Sequence, residues 1–175
     1  VVKPSVGGST IGIAMARTAA ELKDAVEQAL ARHHEVLVEK MVTGEEITVA
    51  ILDGHALPVV HIRPESGFFD YEAKYQAGRT RYDVPADLPS AITKRAQEAA
   101  ERVYESLGCA GLCRADFLID ESGVPWFLEI NTIPGMTATS LSPMAAGATG
   151  MSFEELVEHV LLGAHCMKEE AAPNT

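Results

Sequence analysis

Four side chains within one short stretch, Arg114, Asp116, Glu129 and Asn131, have the types and spacing to hold a divalent cation beside a phosphoryl group. Apolar runs on either side of Asp120-Glu-Ser-Gly123 predict a β-hairpin, because that cluster contains the residues that close tight turns. Alternation along a strand puts Arg114 and Asp116 on one face, and likewise Glu129 and Asn131. If Ser122-Gly123 is a two-residue loop, Asp116 falls opposite Glu129 and Arg114 opposite Asn131, with all four pointing the same way. Ala115, Phe117, Ile119, Leu128 and Ile130 then form the other face. Two carboxylates held close together repel, and without a cation one of them would be driven toward its protonated form. Oxygen donors from Asp, Glu and Asn suit Mg²⁺ or Mn²⁺, ions that also bind substrate phosphates. Arg114 is the residue type that steadies charge on a transferring phosphoryl group. The alternative on this pattern is an exposed polar hairpin face carrying a surface ion pair.

The rest of the chain must position that hairpin. Its 175 residues suffice for one good-sized domain or two small lobes. A net charge of −11 argues against non-specific binding to nucleic acid or to an anionic membrane, so an anionic ligand would need a local basic cluster. No apolar run reaches the length of a membrane span, and no secretory leader opens the sequence. Cys109, Cys113 and Cys166 match no zinc or redox spacing and read as free thiols of a reducing cytoplasm.

Val1-Val-Lys3 reads as a strand already under way, which predicts a fragment. The glycines and hydroxyls of Pro4 to Gly12 could close over phosphate oxygens, with Lys3 at the base as a phosphate contact, or form an ordinary turn. Thr18-Ala-Ala-Glu21 is a capping box opening a helix from about Ala19 to Arg32, with His33-His34 complementing its dipole. Glu35 to Glu39 reads as a short buried strand. Ile47 to Leu52 and Ala56 to Ile62 form a hairpin around Asp53-Gly54. From Arg63 to Pro85 the pattern stops; Phe68 to Tyr75 at its centre is aromatic, as in a functional lid rather than a disordered insertion. Pro89 or Ser90 opens a helix with an apolar stripe of Ile92, Ala96, Ala99, Val103 and Leu107, ended by Gly108. Thr132 to Leu141 is a loop leaving the acidic end of the hairpin. Ser152-Phe-Glu-Glu155 caps a last amphipathic helix through Phe153, Leu156, Val157, Val160 and Leu161 that closes the sheet.

These motifs together resemble the C-terminal part of the D-alanine:D-alanine ligases of the ATP-grasp superfamily. The likeness runs from Lys3-Pro-Ser-Val-Gly-Gly-Ser-Thr-Ile-Gly12 through Asp70-Tyr-Glu-Ala-Lys-Tyr75 and Arg114-Ala-Asp116 to Glu129-Ile-Asn-Thr-Ile-Pro-Gly-Met-Thr137 and Met151-Ser-Phe153. It implies an α+β ATP-grasp fold, an antiparallel β-sheet with packed helices, incomplete at the N-terminus. Residues 1–42 would be the second half of the ATP-binding middle subdomain. Residues 43–167 would be the catalytic subdomain with its lid loop 63–85, and residues 168–175 a tail. The resemblance implies cytoplasmic synthesis of D-alanyl-D-alanine for peptidoglycan through an acyl phosphate, with ATP as co-substrate and two Mg²⁺ or Mn²⁺ ions.

By the same resemblance Asp116, Glu129 and Asn131 are metal ligands, and Arg114 supports the transferred phosphoryl group. Lys3 meets phosphate. Glu39, Lys40 and Val42 cradle adenine, and Glu46 holds the ribose. Ser9 and Tyr75 meet when the lid closes, Lys74 reaches the γ-phosphate, and Gly135, Ser140 and Leu141 hold the second D-alanine. Thr10 stands where the family usually has a second serine. The family's N-terminal domain, which positions the first D-alanine, has no counterpart here. The chain is therefore expected to be nearly inactive alone, and homodimeric only when intact, with no nucleic-acid or membrane partner. Another ATP-grasp carboxylate-amine ligase, or a non-catalytic Mg-nucleotide-binding module, are the alternatives.

Overall fold

The computed structural model describes residues 1–6, 11–64 and 80–164. Strands β1 (Val2–Pro4) and β2 (Val36–Val38) pair antiparallel as a two-stranded sheet, with helix α1 (Ala19–Leu30) between them in sequence and packed on both. Thr18 Oγ1 accepts from the N–H of Glu21 at 3.2 Å, as expected. The return bond differs: the Glu21 carboxylate takes the N–H of Arg17 at 2.7 Å, one residue outside the cap. The helix ends at Leu30, so His33 and His34 lie beyond its last turn rather than complementing its dipole. Strand β2 is not buried as the apolar run suggested. Leu37 and Val38 are about half exposed, because among the described residues its sheet partner is β1 alone.

The second sheet carries the site. It comprises β3 (Glu45–Leu52), β4 (His55–Ala56), β5 (Val60–Pro64), β6 (Thr80–Asp83), β7 (Leu112–Ile119) and β8 (Pro125–Asn131), ordered β6-β5-β3-β7-β8 with β4 on β3. All its pairings are antiparallel. Asp53 and Gly54 both have positive φ, 48° and 85°, the geometry of a two-residue hairpin turn, and Leu52 pairs with His55 across it. The returning strand is not continuous. It breaks at Leu57–Val59 and resumes one residue out of step, so that Thr48 faces Val60. Both ends of the expected lid are strand: β5 runs on to Pro64, and β6 pairs with it from Thr80. The lid centre lies outside the described residues, as do Cys166 and the tail.

One face of this sheet packs Ile47, Ile51, Ala115 and Phe117 against helix α2 (Ser90–Ser106). The buried residues of α2 are Ala96, Ala100 and Tyr104, spaced four apart. Of the expected stripe, Ala96 is buried and Ile92 and Ala99 pack against the same core, whereas Leu107 at its end is exposed. The opposite face packs Ala50, Val60 and Leu112 against α3 (Leu141–Gly147) and α4 (Phe153–Gly163). Residues Ser152 and Glu155 form the expected reciprocal cap of α4. Only Leu156 of that helix is fully buried, while Val157 and Leu161 face outward, so it covers one end of the sheet rather than closing it. Cys109 and Cys113 are free, and burial pushes the Cys113 thiol up to about 12.

Candidate functional site

Alternation places Glu46 and Thr48 of β3, and Arg114 and Asp116 of β7, on the same sheet face as Ala50 and Leu112, beyond the part covered by α3 and α4. The β7–β8 hairpin does not turn on two residues. Its loop is Asp120 to Val124, closed around the Asp120 carboxylate, where Oδ1 accepts from the N–H of Ser122 at 2.9 Å and of Val124 at 3.0 Å. Near the loop Phe117 faces Phe127, and further along Asp116 faces Glu129 and Arg114 faces Asn131. An irregularity between Asp116 and Phe117 leaves Leu128 as the extra residue on β8. The longer loop shifts the pairing by one residue and the bulge shifts it back. The expected opposition therefore holds, for a different reason.

Those four polar residues converge. Arg114 grips Asp116 through Nε to Oδ1 at 2.9 Å and Nη2 to Oδ2 at 2.8 Å. Asn131 Nδ2 donates to Asp116 Oδ2 at 3.2 Å and to Glu129 Oε1 at 3.5 Å. Thr48, buried on the next strand, donates to Asp116 Oδ1 at 2.6 Å. Burial opposes the charge of Arg114. The hydrogen bonds and charge of Asp116, with Glu129 and Glu46 behind them, outweigh it and hold the guanidinium above its usual pKa. The site thus balances one permanent cation against three acidic side chains on three strands.

The donor chemistry fits a hard divalent ion. Among the described residues no three His, Cys, Asp or Glu side chains form a metal-binding group; Asp116 and Glu129 could hold an ion together with Asn131 once its amide, which now presents Nδ2 to both carboxylates, turns its oxygen inward. Magnesium is commonly held this way, by one or two carboxylates with the remaining positions left to water and phosphate oxygens.

Of the expected nucleotide residues, the structure pairs Lys3 with Glu39 and sets Lys40 against Trp126. Lys3 Nζ lies 2.8 Å from Glu39 Oε2, so the expected phosphate lysine is paired with an expected adenine residue. Lys40 Nζ stands 4.5 Å from the centroid of the Trp126 ring. Val42 is half-buried on the segment that leads into β3. Ser140 and Leu141 are not loop residues, because a helix begins there: Ser140 is the N-cap of α3, and Leu141 packs into the core. Ser140 Oγ contacts Thr137 Oγ1 at 2.8 Å and accepts from its N–H at 3.1 Å, which folds the preceding turn onto Gly135. Ser9, Lys74 and Tyr75 lie outside the described residues.

Two residues of this face were not expected from sequence. Thr48 sits two positions after Glu46, and that spacing alone placed it on the same face. Tyr82 of β6 comes within electrostatic range of Glu46 and Arg114, and burial raises its hydroxyl pKa above the ordinary value with Glu46 adding to the rise.

Residues 1–162 match the family model described as the D-ala D-ala ligase C-terminus. The D-alanine--D-alanine ligase of Syntrophotalea carbinolica is 48% identical over 168 residues, covering 96% of this chain and 55% of that protein. The chain spans about half the length of the curated relatives it matches. Among solved structures, the D-alanine--D-alanine ligase of Bacillus anthracis complexed with ATP superposes with a TM-score of 0.77 at 33% identity, covering 93% of this chain and 50% of that one. The VanG D-Ala:D-Ser ligase of Enterococcus faecalis gives a TM-score of 0.78 at 36% identity, covering 91% and 48%.

Proposed function

The chain belongs to the D-alanine–D-alanine ligase family, whose C-terminal region it matches, and from that premise we propose that it forms the ATP- and metal-binding part of an ADP-forming ligase joining two D-alanines. The observation that carries this reading is the convergence of Asp116, Glu129 and Asn131 beside Arg114 on one sheet face. In the proposed reaction a D-alanine carboxylate oxygen attacks the γ-phosphorus of ATP, releasing ADP and giving an acyl phosphate. The amine of a second D-alanine then attacks the acyl carbon, phosphate leaves, and the nitrogen loses a proton. Converting the carboxylate into an acyl phosphate replaces an oxide leaving group with phosphate.

In this reading Asp116, Glu129 and Asn131 would hold one or two Mg²⁺ or Mn²⁺ ions, which supply charge neutralisation at the phosphate oxygens. Arg114, kept charged at every working pH, stabilises negative charge that moves onto the transferred group. Lys3, Glu39, Lys40, Val42 and Glu46 bind the nucleotide. Lys74, Ser9 and Tyr75 act in closure, which protects the acyl phosphate from water. Gly135, Ser140 and Leu141 hold the second D-alanine. Residues 1–42 would work as part of the ATP-binding subdomain and residues 43–167 as the catalytic subdomain. The site for the first D-alanine would come from the half of the relatives' length that this chain does not span, in a homodimeric enzyme of the cytoplasm. Among the described residues no helix is long and apolar enough to cross a membrane.

The likeness to a D-Ala:D-Ser ligase supports a second reading that differs only in the acceptor amine. Calorimetry with MgATP tests binding by the chain itself. D-alanine-dependent ADP formation after joining it to the N-terminal half of a relative tests the reaction, and a panel of D-alanine, D-serine and D-lactate as acceptors separates the two readings. Binding without turnover in the joined protein would leave a nucleotide-binding module.

A further inference from the structure

Trp126 is the single tryptophan of the chain and ties the β7–β8 hairpin to the segment proposed to hold adenine. Its indole N–H donates to Asp120 Oδ2 at 2.8 Å. The same carboxylate organises the hairpin loop through its other oxygen. With its edge anchored, the ring offers a face to the Lys40 ammonium at 4.5 Å, within range of a cation–π attraction. Four residues after Lys40, Gly44 lies so close to the end of β7 that a Cβ on it would clash with the Ile119 carbonyl oxygen. The segment from Lys40 to Gly44 is thus seated on the hairpin at both of its ends.

Resting on the proposed function, we infer that Trp126 is a positioning residue of the nucleotide site, acting through Lys40 and itself held in place by Asp120. A lysine side chain has four rotatable bonds, and a ligand that captures its ammonium must immobilise them. A ring that already holds the ammonium lowers that entropic cost and so raises affinity without touching the reacting atoms. Tryptophan is the strongest of the aromatic rings in this role, and it alone can also reach Asp120 through an N–H.

The test uses the chain joined to the N-terminal half of a relative, any tryptophan of that half replaced, and calorimetry with MgATP reads the dissociation constant. Trp126→Ala should weaken binding on the order of twofold to fivefold, the range expected for one exposed cation–π contact. Trp126→Phe should recover part of the loss. Lys40→Met should weaken binding at least as much, and adding Trp126→Ala to it should change nothing further, because the two act as one unit. The emission of Trp126 should respond to MgATP in the wild type and shift in Lys40→Met before any nucleotide is added. Additive losses in the double variant, or unchanged affinity in Trp126→Ala, would overturn the inference while leaving the functional reading intact. A joined wild-type protein that binds no MgATP at millimolar concentration would overturn both.

Discussion

The hydroxyl of Thr48 lies 2.6 Å from Oδ1 of Asp116, and the two residues are direct partners across β3 and β7. With Arg114 and Asn131 also bonded to it, this carboxylate is fixed from three strands. Thr48→Val keeps the side chain's shape and removes the donor. The loss should be about 2 kcal/mol of stability, the range for a buried hydrogen bond to a charged group, and on the order of tenfold in Mg²⁺ affinity. Urea unfolding and Mg²⁺ calorimetry check this, with Thr48→Ser recovering most of both. Wild-type values in Thr48→Val would show that the contact does not position Asp116.

Arg114 is the counter-charge for Asp116, and Glu129 stands opposite on β8. Arg114→Met should lower stability by about 3 kcal/mol, since a mostly buried carboxylate loses its partner. Added Mg²⁺ should then raise the melting temperature of the variant more than that of the wild type, because the ion supplies the missing positive charge. Equal shifts in the two proteins, before and after chelation, would place the ion elsewhere.

Gly44 has no room for a side chain, because the Ile119 carbonyl oxygen occupies the place where a Cβ would stand. Gly44→Ala must move backbone on one side or the other and should cost roughly 2 kcal/mol or more. Its urea midpoint measures the cost. A midpoint equal to wild type would mean that the segment before β3 is not seated on the hairpin.

His61 is buried in β5 with Nδ1 lacking a partner among the described residues, and Nε2 is 3.9 Å from Glu45 Oε1. Burial, then the charge of Arg63, push its pKa below the ordinary 6.5, while Glu45 and Asp83 pull the other way. The unfolded ring takes up a proton near its ordinary pKa and the folded ring only at lower pH. The unfolded state therefore binds more protons in that window. Stability from this residue is fully present above about pH 7 and falls as the pH drops toward the folded value. Urea midpoints at pH 8, 6.5 and 5.5 should decline, and His61→Gln should flatten the decline. An unchanged slope in that variant would assign it to other groups.

Alternation puts Arg114 with Asp116, and Glu129 with Asn131, on one strand face, since it is a property of the segment itself. The Asp53-Gly54 turn and the Ser152–Glu155 cap were legible for the same local reason. What the sequence left open is decided between segments. The five-residue loop and the bulge at Leu128 cancel in register, and no local pattern distinguishes that from a two-residue turn. The start of α3 at Leu141 hid behind a proline two residues on and a run of Thr, Gly and Ser before it. The stripe of α2 lies along Ala96, Ala100 and Tyr104 because of the sheet that it meets. Thr48 reaches Asp116 only because β3 lies beside β7, and Trp126 reaches Lys40 only because the chain before β3 comes back to the hairpin. Sequence by itself determined which side chains share a strand face. Tertiary structure decided which neighbours complete the site, because strand order is settled by long-range burial and hydrogen bonding that no single segment encodes.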